Sequence, residues 1–187
     1  MKVSLNLIRK YVDLPEGLTD EQIAYDMTLR TVEVEDVENT AKKFHDIVVG
    51  EILEIKAHPN ADKLRICMVN IGEEEPVQIV CGGSNLYVGE HVVVSKPGAE
   101  VVWHGQGEPV KITKTKMRGE SSYGMICAST EVYLSDFFPN EGEEEIVDLK
   151  GFDCKPGDSV ADLFGMNDTV LEIDNKSLSN RPDLWGH

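Results

Sequence analysis

Four cations and no acid lie within the octet Lys111-Ile112-Thr113-Lys114-Thr115-Lys116-Met117-Arg118. On an extended strand Lys114, Lys116 and Arg118 would point to one face, roughly 7 Å apart per step, because side chains alternate along the backbone. Such a row suits a phosphate backbone, which Lys and Arg contact whatever the base sequence. A solvated edge strand guarded by lysines fits the pattern equally well. A second polar cluster is His58-Pro59-Asn60-Ala61-Asp62-Lys63-Leu64. Pro59 and Asn60 turn the chain, His58 and Asn60 offer hydrogen-bonding edges, and Lys63 offers a phosphate-seeking charge. A polar turn with a cap is the alternative. The third is Cys81-Gly82-Gly83-Ser84-Asn85. It lacks the spacing of a nucleotide P-loop, and its paired glycines permit close approach of either a ligand or another strand.

Catalytic constellations do not appear. The chain has no Gly-x-Ser-x-Gly elbow and no His-Glu-x-x-His site, and its five histidines (45, 58, 91, 104 and 187) are scattered. No catalytic residue is expected. The cysteines, Cys67, Cys81, Cys127 and Cys154, are too far apart for a zinc knuckle or a redox pair. They are expected to be buried free thiols, and no metal site is expected. Aromatic residues make up 6% of the chain, and Tyr87, Trp103 and Tyr123 are the candidates for base stacking near these motifs. Trp103 and Tyr123 read as packing residues, so recognition of shape and backbone is favoured over base-by-base readout.

The net charge of −16 argues against a general nucleic-acid binder. Residues 1–43 hold 9 acids and 6 bases, residues 44–136 hold 13 and 8, and residues 137–187 hold 12 and 4. Any RNA site must therefore be local. No apolar run approaches the roughly 18 residues of a membrane span, and the N-terminus lacks the order of a signal peptide. A cytoplasmic protein without a membrane partner is expected.

These residues need elements to position them. Ser4 can cap a helix with Leu5, Ile8 and Val12 on one face. Thr19 and Gln22 form a capping-box pattern for a second helix. Residues 31–37 alternate as a half-buried strand does. From residue 44 period-two patterns dominate, at 47–55, 64–71, 77–81, 91–94 and 110–112, with glycine turns between them. Five or six short strands in about 90 residues indicate a small barrel, although alternation alone allows a sandwich. Ser159 can cap a short helix and 169–173 reads as a strand. Asp183 looks like a helix cap with only four residues after it, which suggests a fragment of a longer protein. The expected fold is mainly β with α+β: an OB-fold barrel (44–149) inserted into a small discontinuous α+β module (1–43 with 150–187).

In order, His58–Leu64, Cys81–Asn85, Lys96-Pro97-Gly98-Ala99 and Lys116–Cys127 resemble the signature of the tRNA-binding domain. That domain is shared by phenylalanyl-tRNA synthetase β subunits, the C-terminal extension of some methionyl-tRNA synthetases and stand-alone tRNA-binding proteins. The flanks, Met1–Asn6, Lys10–Leu14, Leu29–Glu35, Leu171–Asn175 and Asn180–Asp183, resemble the bacterial-type β subunit. The departures, Gly83, Ser84 and Ala128, look tolerable. The resemblance implies an (αβ)2 ligase that joins phenylalanine to tRNA using ATP and Mg2+, with catalysis in the α subunit and proofreading beyond residue 187. This stretch would then serve tRNA binding and assembly and hold no cofactor of its own. By motif match its RNA-binding positions would be His58, Asn60, Lys63, Asn85, Lys114, Lys116, Arg118, Ser122 and Met125; the basic octet adds Lys111. A stand-alone tRNA-binding or chaperone-like module, and a scaffolding barrel without RNA contact, are the alternatives.

Overall fold

The computed structural model describes residues 1–139, 142 and 144–174. The expected helix cap at Asp183 lies outside them. The chain divides into two compact units. One combines Met1–Ala41 with the described residues from Asn167 to Asp174, and the other is Lys42–Met166.

The smaller unit starts with a strand that periodicity did not reveal, β1 (Lys2–Ser4), followed by α1 (Leu5–Ile8), α2 (Asp20–Arg30) and β2 (Glu33–Asn39). Ser4 caps α1 through Leu7 N. The helix stops at Ile8, short of the expected Val12, which is 54% exposed. The Thr19–Gln22 capping box closes α2 as its sequence indicates. The last strand among the described residues, β12 (Thr169–Asp174), lies between β1 and β2 and pairs antiparallel with both. Leu5, Ile23, Ala24, Leu171 and Ile173 form the core beneath this sheet. Neither end of the chain could bury that core alone.

The larger unit holds β3 (Ile47–Ala57), β4 (Arg65–Asn70), β5 (Val77–Cys81), β6 (His91–Ser95), β7 (Glu100–Val101), β8 (Val110–Lys111), β9 (Thr115–Met117), β10 (Glu120–Ser122), β11 (Met125–Ile126) and α3 (Val160–Leu163). The main sheet runs β11-β6-β3-β4-β5, antiparallel throughout. The chain just before β11 returns to the far edge: Tyr123 N donates to Gln78 O (2.8 Å) and Val80 N to Ser122 Oγ (3.0 Å). The sheet thus closes into the nearly complete barrel of an OB-fold. Closure needs curvature, which a register shift in β3 between Ile52 and Glu54 supplies. Ile52, Cys67, Val69, Ile79, Val92, Val94 and Ile126 fill the interior. Gly124 must be glycine: its φ is +92° and a Cβ would stand 2.4 Å from Ser95 O.

The stretch from 150 to 166, assigned by pattern to the small module, belongs to the barrel unit. Val49 N donates to Asp158 O (2.9 Å), Gly157 N donates to Val49 O (2.8 Å), and Ser159 makes a bridge to Val48. These pairings satisfy the edge of β3 opposite β6, ahead of the ladder with β4 that starts at Glu51, and sequence pattern cannot register them.

Candidate nucleic-acid interface

An OB-fold binds nucleic acid through the face of its second and third strands and the loops joining strands one to two and four to five. Here those loops are 58–64, between β3 and β4, and 96–124, between β6 and β11. The first holds the second in place. The His58 ring is buried, with Nε2 3.1 Å from Met117 O and Nδ1 accepting from Asn60 N at 3.1 Å. This arrangement fits the tautomer with its proton on Nε2. Asn60 Nδ2 donates to Arg118 O (3.2 Å), and Arg118 Nη1 reaches back to Asn60 O (3.5 Å). His58 and Asn60 therefore grip two successive carbonyls at the hairpin tip. They position the basic segment, and His58 has no free edge for RNA.

The basic octet is not one strand. Lys111 ends β8, opposite Glu100 of β7, while Lys116 sits on β9 opposite Ser121 of β10. Arg118 and Gly119 form the two-residue turn between β9 and β10, with φ of +49° and +101°. Two positive φ values define the type I′ turn that matches strand twist, normally built from Asn-Gly. Arg118 therefore leaves the strand, and the expected row of Lys114, Lys116 and Arg118 is replaced by a cluster around a hairpin. Lys114 Nζ lies 4.3 Å from the centre of the Tyr123 ring, a cation–π contact that fixes its position. Lys111, Lys114, Lys116 and Arg118 are all exposed, and among the described residues none is in an ion pair. Gln78, which the sequence did not flag, seats the hairpin through Nε2 to Ser121 O (2.8 Å).

The other expected positions divide between support and a second edge. Ser122 is buried, accepts from Val80 N and donates to Gly124 O at 3.0 Å. Half-buried Met125 pairs with Ser95 on β11. Asn85 clamps a neighbouring loop segment, donating to Ile146 O (3.1 Å) and accepting from Ile146 N (3.0 Å). Ser84 N donates to Glu144 O at 2.9 Å. The Cys81–Asn85 motif is thus a backbone lock, and a Cβ on Gly83 would press to 2.9 Å from Ile146 Cγ2. Lys63 is exposed and paired with Glu144 Oε1 at 3.1 Å. It sits at a cavity of about 420 Å³ lined also by Asp62, Arg65, Gly82 and Ser84. Trp103, expected to pack, is 47% exposed, whereas Tyr123 packs on the barrel core. Tyr87 donates its hydroxyl to Asp148 Oδ2 at 3.1 Å.

The cysteines are buried free thiols. Burial pushes Cys67 and Cys127 up to about 12 and Cys81 up to about 11, so these thiols stay protonated and unreactive. Among the described residues no cluster of His, Cys, Asp or Glu could hold a metal ion, and no helix is long and apolar enough to cross a membrane.

A nearly closed antiparallel barrel, with the loop between its first two strands locked to the loop between its last two and exposed cations on the latter, defines an OB-fold module of the kind that binds nucleic acid. Residues 47–158 match the tRNA_bind model of tRNA binding domains, and the chain belongs to that family. Similarity extends through both flanks. The chain is 38% identical over 174 residues to the phenylalanine–tRNA ligase β subunit of Halalkalibacterium halodurans, covering 93% of this chain and 21% of that protein. It is 37% identical over all 187 residues to the same subunit of Latilactobacillus sakei, covering 22% of it. The chain thus spans about a fifth of these curated relatives and is homologous to their N-terminal part. Among solved structures, the C-terminal domain of Plasmodium vivax p43 aligns over 43% of each chain with a TM-score of 0.32 and 28% identity.

Proposed function

We propose that this chain is the N-terminal part of the β subunit of a phenylalanine–tRNA ligase, and that its barrel engages the tRNA backbone through the β9–β10 hairpin. Similarity running through the flanks as well as the barrel favours this reading over a stand-alone tRNA-binding module. The observation that carries the RNA contact is the set of Lys111, Lys114, Lys116 and Arg118, exposed and without ion pairs among the described residues, on a chain of net charge −16. In the complete enzyme, phenylalanine, ATP and Mg2+ would meet on a catalytic α subunit in an (αβ)2 assembly in the cytoplasm. The residues described here would take no part in that chemistry.

Titration into labelled tRNA at two salt concentrations tests the RNA contact. Each phosphate neutralised contributes about 0.7–0.9 to the slope of log affinity against log salt. The four cations predict a slope of roughly 3, falling by about 2 when Lys114, Lys116 and Arg118 are replaced by Ala. An unchanged slope in that variant would mean that tRNA is held by other cations and not by the hairpin, and no binding at low salt would mean that the barrel serves assembly alone.

A further inference from the structure

The chain contains five phenylalanines, and four of them, Phe137, Phe138, Phe152 and Phe164, pack ring against ring on the larger unit. Their centroids are 5.2 to 5.7 Å apart, in tilted and edge-to-face pairs. Such pairs are favourable in themselves, yet the cluster is not interior: Phe137 is 49% exposed and Phe152 is 42% exposed. Nearby in sequence, Tyr133 is 40% exposed. A group of large aromatic rings gathered at the surface marks an interaction site rather than scattered exposure.

Charge narrows the choice of occupant. The segment 133–166 that supplies all four rings carries nine acids and two bases. Asp136, Asp153 and Asp162 flank the phenylalanines in sequence and are exposed. An anionic surface of this kind repels RNA and suits a polypeptide bearing both apolar side chains and lysine or arginine. Relatives matched over 93–100% of this chain are about four and a half times its length, since the matched stretch covers 21–22% of them. A segment tethered in the same polypeptide acts at an effective concentration on the order of millimolar, which favours it over a separate partner.

We infer that the four-phenylalanine patch is a docking surface for a basic, apolar-faced segment lying beyond residue 187 of the same polypeptide. This inference rests on the reading of the chain as the N-terminal part of a longer subunit. Hydroxyl-radical footprinting of the 187-residue chain and of the full-length subunit alone tests it. Labelling of Phe137 and Phe152 is expected to fall at least about fivefold in the longer polypeptide, as burial removes their exposed area. Carbodiimide coupling should join Asp136 or Asp153 to lysines beyond residue 187. Equal labelling in the two proteins overturns the inference. So does protection that appears only after the α subunit or tRNA is added, because the occupant is then another molecule. A Phe137→Ser, Phe152→Ser double variant gives a second reading: it should lower the Tm of the full-length subunit more than that of the 187-residue chain, and equal shifts would refute the docking. Salt-dependent tRNA binding is measured separately on the same full-length protein, so loss of the RNA contact and loss of the docking surface are distinguishable.

Discussion

Glu90 offers the sharpest test of how the barrel is held together. It is fully buried at the barrel's edge, where Oε2 accepts from Tyr87 N at 3.1 Å and Oε1 has no partner among the described residues. Burial, reinforced by the negative Asp148 and opposed by the Tyr87 N–H, pushes its carboxyl up to about 7 from an ordinary 4.5. The folded chain therefore holds a proton that the unfolded chain releases between those two values. The stabilisation is fully present below about pH 4.5 and is lost as pH rises through 7. A shift of this size corresponds to roughly 3 kcal/mol. Glu90→Gln keeps an oxygen for Tyr87 N–H and never ionises, but it buries amide protons without partners at a cost of about 1–2 kcal/mol. The variant should be more stable than the parent by about 1–2 kcal/mol at pH 8, and equal or slightly less stable at pH 5. Urea unfolding followed by Trp103 fluorescence, with Trp185→Phe in both proteins so that the signal reports the barrel unit, gives the difference across pH. Other carboxylates cancel in that difference because they are common to both proteins. Parallel curves from pH 5 to 8 would falsify the assignment of a neutral, buried Glu90.

Other perturbations probe the hairpin and its supports. Asn60→Asp removes the donor to Arg118 O; a net loss of about 1 kcal/mol should loosen the turn and speed trypsin cleavage after Lys116 and Arg118 by roughly fivefold. Unchanged cleavage would mean that the loop clamp does not hold the hairpin. Gly124→Ala forces a Cβ to 2.4 Å from Ser95 O at φ +92° and should cost more than about 2 kcal/mol, read as a lower urea midpoint. Lys63→Ala breaks an exposed ion pair with Glu144 and should change stability by less than about 1 kcal/mol.

What was legible in the sequence was whatever depends on neighbours along the chain. The Thr19–Gln22 capping box and the Ser4 and Ser159 caps rest on contacts within a few residues, and the strands β3 to β6 are long enough to show a period of two, so residue type and period reveal them. The three-residue β1 was not legible because it is too short to show a period and exists by pairing with β12 at the other end of the chain. Arg118 was misplaced for a related reason. An arginine at positive φ breaks the usual Asn-Gly turn signal, and the grip of Asn60 on its carbonyl comes from 58 residues away.

The motifs themselves divide along the same line. Composition and period alone pointed to a small barrel or sandwich with a local cluster of cations on an acidic chain, because net charge and strand period are sums over residue types; the order of the motifs, by resemblance, pointed to the OB-fold. Only the tertiary structure decided the tasks within each motif. It buried His58 and Ser122, turned Asn60 and Asn85 into backbone clamps, paired Lys63 with Glu144 and left Lys111, Lys114, Lys116 and Arg118 open to solvent. The physical reason is that a polar side chain on a loop is committed by whichever unsatisfied carbonyl or carboxylate the fold brings within about 3 Å, and for His58, Asn60, Asn85 and Lys63 those partners lie 58 to 81 residues away.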